Sequence, residues 1–225
     1  MISAIIPADS INDISDEVLQ PDGKIKLMPA EEWRKYRWHD FRAFCHLYAR
    51  YGIPTTELIN FLHMEINHQP VLEIGAGAGD LGHHLSKICG VAMTDSRQQE
   101  NPLIKAQYDA MKQPVIKYPP EVEGLEALIA VHAKKPKVVI ASWVTTYAPH
   151  EMPYGSNPFG IKEPEILSLV DKFILIGNID THGDKPIMKI KHEEYYFDWL
   201  VSRGRNQHNN RIWIWNKPME KMNEK

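Results

Sequence analysis

Glu73-Ile74-Gly75-Ala76-Gly77-Ala78-Gly79 sets a carboxylate and three alternate glycines between a short apolar run, Val71 to Ile74, and the start of a helical pattern. Glycine takes positive backbone angles without steric cost, so this spacing predicts a tight turn that brings bare amides against a ligand at the mouth of a helix. Two ligand classes use such a turn. The segment Gly77-Ala78-Gly79-Asp80-Leu81-Gly82 also fits the G-x-G-x-x-G pattern of a pyrophosphate-binding loop. In that reading the strand should run straight into the first glycine, and Gly75 and Ala76 are left without a role. Reading the turn from Gly75 removes the surplus. Glu73 then weighs against a pyrophosphate, because an anion at the turn repels a diphosphate and attracts a ligand carrying positive charge.

A second acid follows. After a helical segment from Leu81 to Cys89, Gly90-Val91-Ala92-Met93-Thr94-Asp95 reads as a short strand ending in a carboxylate. Its distance from Gly75 is about the twenty residues expected between a glycine turn and a ribose-binding acid. Such an acid serves either cofactor class, so it supports the fold more than the ligand. With these residues in place, the chain resembles the class I S-adenosylmethionine-dependent methyltransferases over residues 70 to 216, on their E/D-x-G-x-G-x-G motif and the acid after the second strand. The wider sequence is similar to uncharacterised bacterial and phage-associated proteins of that fold.

The resemblance implies S-adenosylmethionine as cofactor and direct displacement of its methyl group by an unidentified acceptor. It places Gly75, Gly77 and Gly79 near the methionine part of the cofactor, Glu73 near its ammonium and Asp95 on the ribose. Ser96, with Arg97, falls beside the ribose or adenine, and Tyr118 flanks the adenine or else simply precedes the Pro119-Pro120 turn. Ser142 and Trp143 end the fourth strand, where Trp143 either lines the methyl-transfer crevice or packs in the core. No base is needed when the nucleophile is an unprotonated amine, so no catalytic residue is assigned. Ser142-Trp143-Val144-Thr145-Thr146-Tyr147 lacks the [DNS]-P-P-[FYW] motif of enzymes that methylate exocyclic base nitrogens, and no Pro-Cys nucleophile is present, which argues against nucleobase methylation. Two other functions stay open: an NAD-dependent oxidoreductase, and a non-catalytic cofactor-binding protein of the same fold.

Substrate contacts are expected from two further places. The long Pro-, Gly- and aromatic-rich segment from Val144 to Pro164 offers Tyr147, His150 and Tyr154 at the strand ends, and loops of that length are usually functional or disordered. Asp180 and His182 after the fifth strand could form a general-base pair or merely build a turn.

These residues require an α/β fold, a doubly wound, mostly parallel Rossmann-like methyltransferase sheet with an N-terminal helical extension. Strands are expected at Val71 to Ile74, Val91 to Thr94, Pro114 to Lys117, Lys137 to Trp143, Phe173 to Gly177 and Arg211 to Trp215, the last near an edge. Helices are expected at Glu31 to Tyr51, from Thr55 through Ile66, at Val122 to Ala133, Glu163 to Asp171 and Glu193 to Val201. The division is an N-terminal extension with a helical cap over 1–69, the core over 70–217 and a flexible tail over 218–225. Residues 1 to 28 are expected to be irregular and without function. The face Lys35, His39, Arg42, His46 and Arg50 reads as a solvated helix face or an anion contact.

Composition narrows the classes. The chain has 225 residues and a net charge of -3, which gives no general pull toward nucleic acid while leaving room for a local basic patch. No apolar run approaches the roughly 18 residues of a membrane span, and the N-terminus has no secretory pattern, so a cytoplasmic protein is expected. Cys45 and Cys89 form no motif, and the eleven histidines show no ligand spacing, so no metal is expected. Oligomeric state is not legible.

Overall fold

The computed structural model describes residues 11–148 and 156–217. The N-terminal part carries α1 (Ser15–Val18), α2 (Ala30–Trp33), α3 (Trp38–Leu47) and the short strand β1 (Gly52–Ile53). Alternation then sets in with α4 (Thr56–Ile66), β2 (Val71–Ile74), α5 (Asp80–Leu85), β3 (Val91–Asp95), α6 (Pro102–Ala110), β4 (Val122–Gly124), α7 (Ala127–Lys134) and β5 (Val138–Ser142). The rest comprises β6 (Thr146–Tyr147), β7 (Ser156–Asn157), α8 (Glu163–Leu169), β8 (Lys172–Asn178), α9 (Ile179–His182), β9 (Glu193–Tyr195), β10 (Val201–Ser202) and β11 (Asn210–Asn216).

Seven strands form the central sheet in the order β4-β3-β2-β5-β8-β11-β9. The first five are mutually parallel, and β11 runs antiparallel to both β8 and β9. The chain steps outward from β2 to β4 and then returns to β5 on the other side, so the order reverses between β2 and β5. This is a doubly wound, mostly parallel Rossmann-like sheet, and that reversal is where such sheets open a crevice.

Side chains alternate across each strand, which explains why the central strands read as unbroken apolar runs: both faces are covered. Leu72, Ile74, Val139, Ala141, Phe173 and Leu175 share one core with residues of α7 and α8, together with Trp213 and Trp215. Val71, Val138, Ile140, Ile174 and Ile176 share the other with α4 and α5. Thr55 caps α4 by accepting the Leu58 amide at 3.2 Å. Leu58, Ile59, Leu62 and Ile66, the expected stripe, are all buried. A third cluster, including Val18, Ile25, Trp33, Phe41, Phe44 and Cys45, is the core of the cap.

Several expectations are corrected. The helix expected over Glu31 to Tyr51 is two helices, broken at an extended Arg37. In a straight helix Trp33 and Phe41 would lie about 12 Å apart along the axis; the break brings the Trp33 ring to 6.0 Å from Phe41 and 6.3 Å from Phe44. The third strand is β4, not Pro114 to Lys117, because Val122 is buried opposite Met93. The helix expected from Val122 therefore starts at Ala127, where the Glu126 carboxylate accepts the Leu128 and Ile129 amides. Glu193 to Val201 is not a helix: β9 pairs with β11, and the Tyr195, Phe197 and Trp199 rings stack in succession. Their spacing of two is a strand's period. Residues 11–28 are not irregular throughout, since Leu19 bridges to Ile25 and Val18 and Ile25 are fully buried. Among the described residues no helix is long and apolar enough to cross a membrane.

Candidate functional site

A cavity of about 560 Å³ opens over the carboxyl ends of β2 and β5. Its floor is the turn after β2. Gly75, Gly77 and Gly79 hold φ of 62°, 56° and 70°, a region that costs a residue with a side chain about 1–2 kcal/mol. The turn is tied by its own amides: Gly77 donates to Asp95 Oδ2 at 2.9 Å, Ala76 to the Thr94 carbonyl at 3.0 Å and Gly79 to the Ala76 carbonyl at 2.8 Å. The other Asp95 oxygen accepts the Arg97 amide at 2.7 Å. Burial raises the Asp95 carboxyl above its ordinary value, opposed by these two amides.

Strand alternation puts Glu73 on the Val71 face, beneath α5. A side chain on Gly82 would come within 2.5 Å of Glu73 Oε2, so only a glycine leaves room for the carboxylate. That oxygen has no hydrogen-bond partner, and burial pushes the carboxyl up to about 8. Asp80 and Asp95 push it the same way, while the Gly82 amide and Lys24 oppose them.

The N-terminal segment clasps this turn from outside. Lys24 Nζ donates to the Ala78 carbonyl at 2.7 Å and pairs with Glu121 at 2.8 Å. The Ile25 amide donates to Asp80 Oδ1 at 2.9 Å, His84 Nε2 meets the Ile25 carbonyl at 2.7 Å, and Asp80 Oδ2 pairs with Arg50 at 2.8 Å. Arg50 is therefore no part of a solvated basic face, and residues 24–25 are part of the site's frame.

The opposite wall is aromatic and neutral. Trp143 ends β5 at φ 57°, a strained position for a non-glycine residue, and its amide donates to the Ile176 carbonyl at 2.9 Å. Its indole fills the space beside Gly52 and meets the His182 ring edge-on at 5.2 Å. Ser202 Oγ and Asn178 Nδ2 both donate to Asn210 Oδ1 at 2.9 Å, a buried amide network at the cavity wall. Tyr51 of the cap and Tyr108 of α6 both line the cavity, and the Gln99 side-chain amide donates to the Tyr108 hydroxyl at 3.3 Å; burial, with Tyr51 nearby, pushes the Tyr108 phenol up to about 12. Below, the fully buried Glu163 and Lys185 pair at 2.6 Å, and Lys185 Nζ also donates to the Val144 carbonyl at 2.9 Å, pinning the chain after β5.

No protein-family model and no curated protein sequence matches this chain. Among solved structures it is similar to a hypothetical protein of Thermus thermophilus, at 14% identity, covering 72% of this chain and 83% of that one with a TM-score of 0.41. It is similar to precorrin-6y C5,15-methyltransferase from Geobacter metallireducens, at 15% identity, covering 73% and 90% with a TM-score of 0.38. A bifunctional kinase-methyltransferase matches at 11% identity, covering 72% and 39% with a TM-score of 0.42.

Of the residues singled out in the sequence, Glu73, Gly75, Gly77, Asp95, Ser96, Tyr118, Ser142 and Trp143 line one cavity. Gly79 belongs to the turn but faces Val122 and Lys24 instead. Tyr147 is exposed beneath the Lys162 ammonium, 5.2 Å from its ring centre, and does not line the cavity. Asp180 and His182 form no pair. Asp180 is exposed and accepts the Asn209 amide at 2.7 Å, whereas His182 is buried with Nδ1 accepting the Asn178 amide at 3.0 Å. Burial pushes His182 down to about 3, too weak a base for proton abstraction near neutrality. His150 and Tyr154 lie outside the described residues. Among the described residues no cluster of three His, Cys, Asp or Glu could hold a metal. Tyr51, Tyr108, Ser202 and Asn210 were not visible as site residues. Asn178 and Asn210 face each other only through the β8–β11 register.

Proposed function

We propose that this protein is an S-adenosylmethionine-dependent methyltransferase acting on an acceptor bound between the glycine turn and the cap. The observation that carries the reading is the acidic, left-handed turn: a buried Glu73 oxygen without a partner at one end, and Asp95 holding the Gly77 amide at the other. A pyrophosphate needs free amides and positive potential. Here the Gly77 amide is engaged by a carboxylate, Glu73, Asp80 and Asp95 crowd the turn, and Lys24 is occupied by Ala78 and Glu121. A ligand bearing an ammonium and a sulfonium relieves that crowding and favours the ionised form of Glu73, whose carboxyl burial pushes up to about 8.

In this reading Glu73 Oε2 accepts from the ammonium, the glycine turn gives the methionine part close backbone approach, and Asp95 accepts from the ribose. Tyr118, with the Arg97 guanidinium 5.6 Å from its ring centre, flanks the adenine, and Ser96 lies beside it. S-adenosylmethionine supplies an activated methyl group whose departure leaves a neutral thioether. The protein's own contribution is alignment: Trp143 and Ser142 border the space where the acceptor is held, and Tyr51 and Tyr108 line the same cavity. No unengaged base lies on that wall among the described residues, which suits an acceptor whose nucleophile arrives unprotonated.

Calorimetric titration with S-adenosylhomocysteine and NAD tests the proposal. S-adenosylhomocysteine is expected to bind and NAD not, with Asp95→Ala weakening the former by about tenfold, as loss of charge-assisted hydrogen bonds requires. NAD binding without S-adenosylhomocysteine binding overturns it.

A further inference from the structure

The cavity is electrically divided. Four carboxylates line its strand-end half, Glu73, Asp80, Asp95 and Glu126, and none lines the half formed by the cap and β10. Burial pushes the Cys45 thiol of the cap up to about 12, opposed by Arg203, Arg50 and Arg42, of which only Arg50 lines the cavity. Arg50 is neutralised by Asp80, and Arg42 lies over Trp38 at 5.7 Å. Arg203 is different. Its guanidinium lies 3.5 Å from the centre of the Tyr51 ring, its amide donates to the Tyr51 carbonyl at 2.9 Å, and no carboxylate pairs with it among the described residues.

The β1–β10 pairing sets this position, with Gly52 opposite Ser202. Tyr51, Gly52 and Ser202 all line the cavity, so the guanidinium is stacked on one residue of its wall and Arg203 follows another in the chain. A guanidinium lying flat on an aromatic face keeps its edge N–H groups for a planar acceptor.

We propose that Arg203, seated on Tyr51, is the subsite for an anionic group, a carboxylate or a phosphate, of the methyl acceptor. The inference rests on the methyltransferase reading, which puts a cationic cofactor in the acidic half. The contrast between the acidic half and the unpaired Arg203 then orients the acceptor, with its anion held beside Tyr51 and its nucleophilic end turned toward Trp143 and Ser142. An acceptor bound the other way round would set its anion against Glu73 and Asp95.

The test titrates protein saturated with S-adenosylhomocysteine with inorganic phosphate and, separately, with benzoate. Wild type is expected to bind one of the two probes, which distinguishes phosphate from carboxylate. Arg203→Gln weakens that binding by about tenfold, the loss of a charge-assisted contact, while S-adenosylhomocysteine affinity is unchanged. Arg203→Lys, which keeps the charge without the planar fork, falls between them and carries the comparison if the Gln variant does not fold. Absence of binding of either probe to wild type up to about 50 mM, or equal probe binding by wild type and the variant, overturns the proposal. If S-adenosylhomocysteine itself does not bind, the methyltransferase reading fails. The same comparison on the unloaded protein then decides the anion subsite alone.

Discussion

The floor of the cavity and its far wall are built by opposite means. The floor is one continuous stretch, Glu73 to Asp95, in which glycine conformation, backbone hydrogen bonds and three buried carboxylates lie within a single strand-turn-helix-strand unit. The far wall is gathered from the cap, α6, the end of β5, β10 and β11, and it is held by side chains: an edge-on ring contact, an amide network and a buried ion pair. A contiguous site depends on local backbone geometry, whereas an assembled one depends on the packing of distant segments. Mutations in the two should therefore separate ligand binding from stability.

The largest effect is expected at the support of the far wall. Lys185→Met leaves Glu163 buried without its partner and should cost about 3–5 kcal/mol in urea unfolding. A loss within experimental error would show that the pair does not hold this wall. Next comes the floor. Gly77→Val forces a branched residue to φ 56°, at about 1–2 kcal/mol of strain, and puts its side chain at the cavity. S-adenosylhomocysteine affinity should fall by about tenfold or more, each 1.4 kcal/mol being one such factor, while anion-probe binding at Arg203 persists. Loss of both together would break the division between the halves.

Glu73 sharpens the comparison through pH. Burial raises its carboxyl from 4.5 to about 8, so the folded protein keeps a proton that the unfolded chain has released. This group's contribution therefore makes stability fall as pH rises from about 4.5 to about 8. Glu73→Gln should abolish that decline and melt at higher temperature than wild type at pH 8, with the difference vanishing toward pH 4.5. Parallel melting curves across that range would contradict the assigned burial. The smallest change is Ser202→Ala, which removes the hydroxyl that donates to Asn210 Oδ1 and should cost about 1 kcal/mol in thermal unfolding.

The strands β2, β3, β5 and β8 were legible because a strand buried on both faces writes itself as a continuous apolar run. The turn was legible because three alternate glycines have few other uses. Asn101 followed by Pro102 is a helix-start signal for α6, and the Asn101 side chain does accept the Leu103 amide at 3.0 Å. The helix went unread because none of its side chains is fully buried, Ile104 and Tyr108 being only half-buried at the cavity, so no strong apolar stripe marks it. Tyr195, Phe197 and Trp199 carried a period of two within a stretch read as helical. What settles it is the pairing of Tyr195 with Ile212 on a strand distant in sequence. The expected Asp180–His182 pair failed for a local reason: in the single turn of α9 one side chain points to solvent and the other into the core.

By itself the sequence determined the parallel sheet, the left-handed turn at its reversal point and the two acids that flank it, since these follow from residue type and short-range spacing. Only the tertiary structure decided that Tyr51, Tyr108, Trp143 and Ser202 share a wall, with Arg203 stacked on Tyr51. Their proximity comes from the β1–β10 pairing and from the packing of the cap on the sheet, and long-range pairing of that kind leaves no periodic trace in the segments it joins.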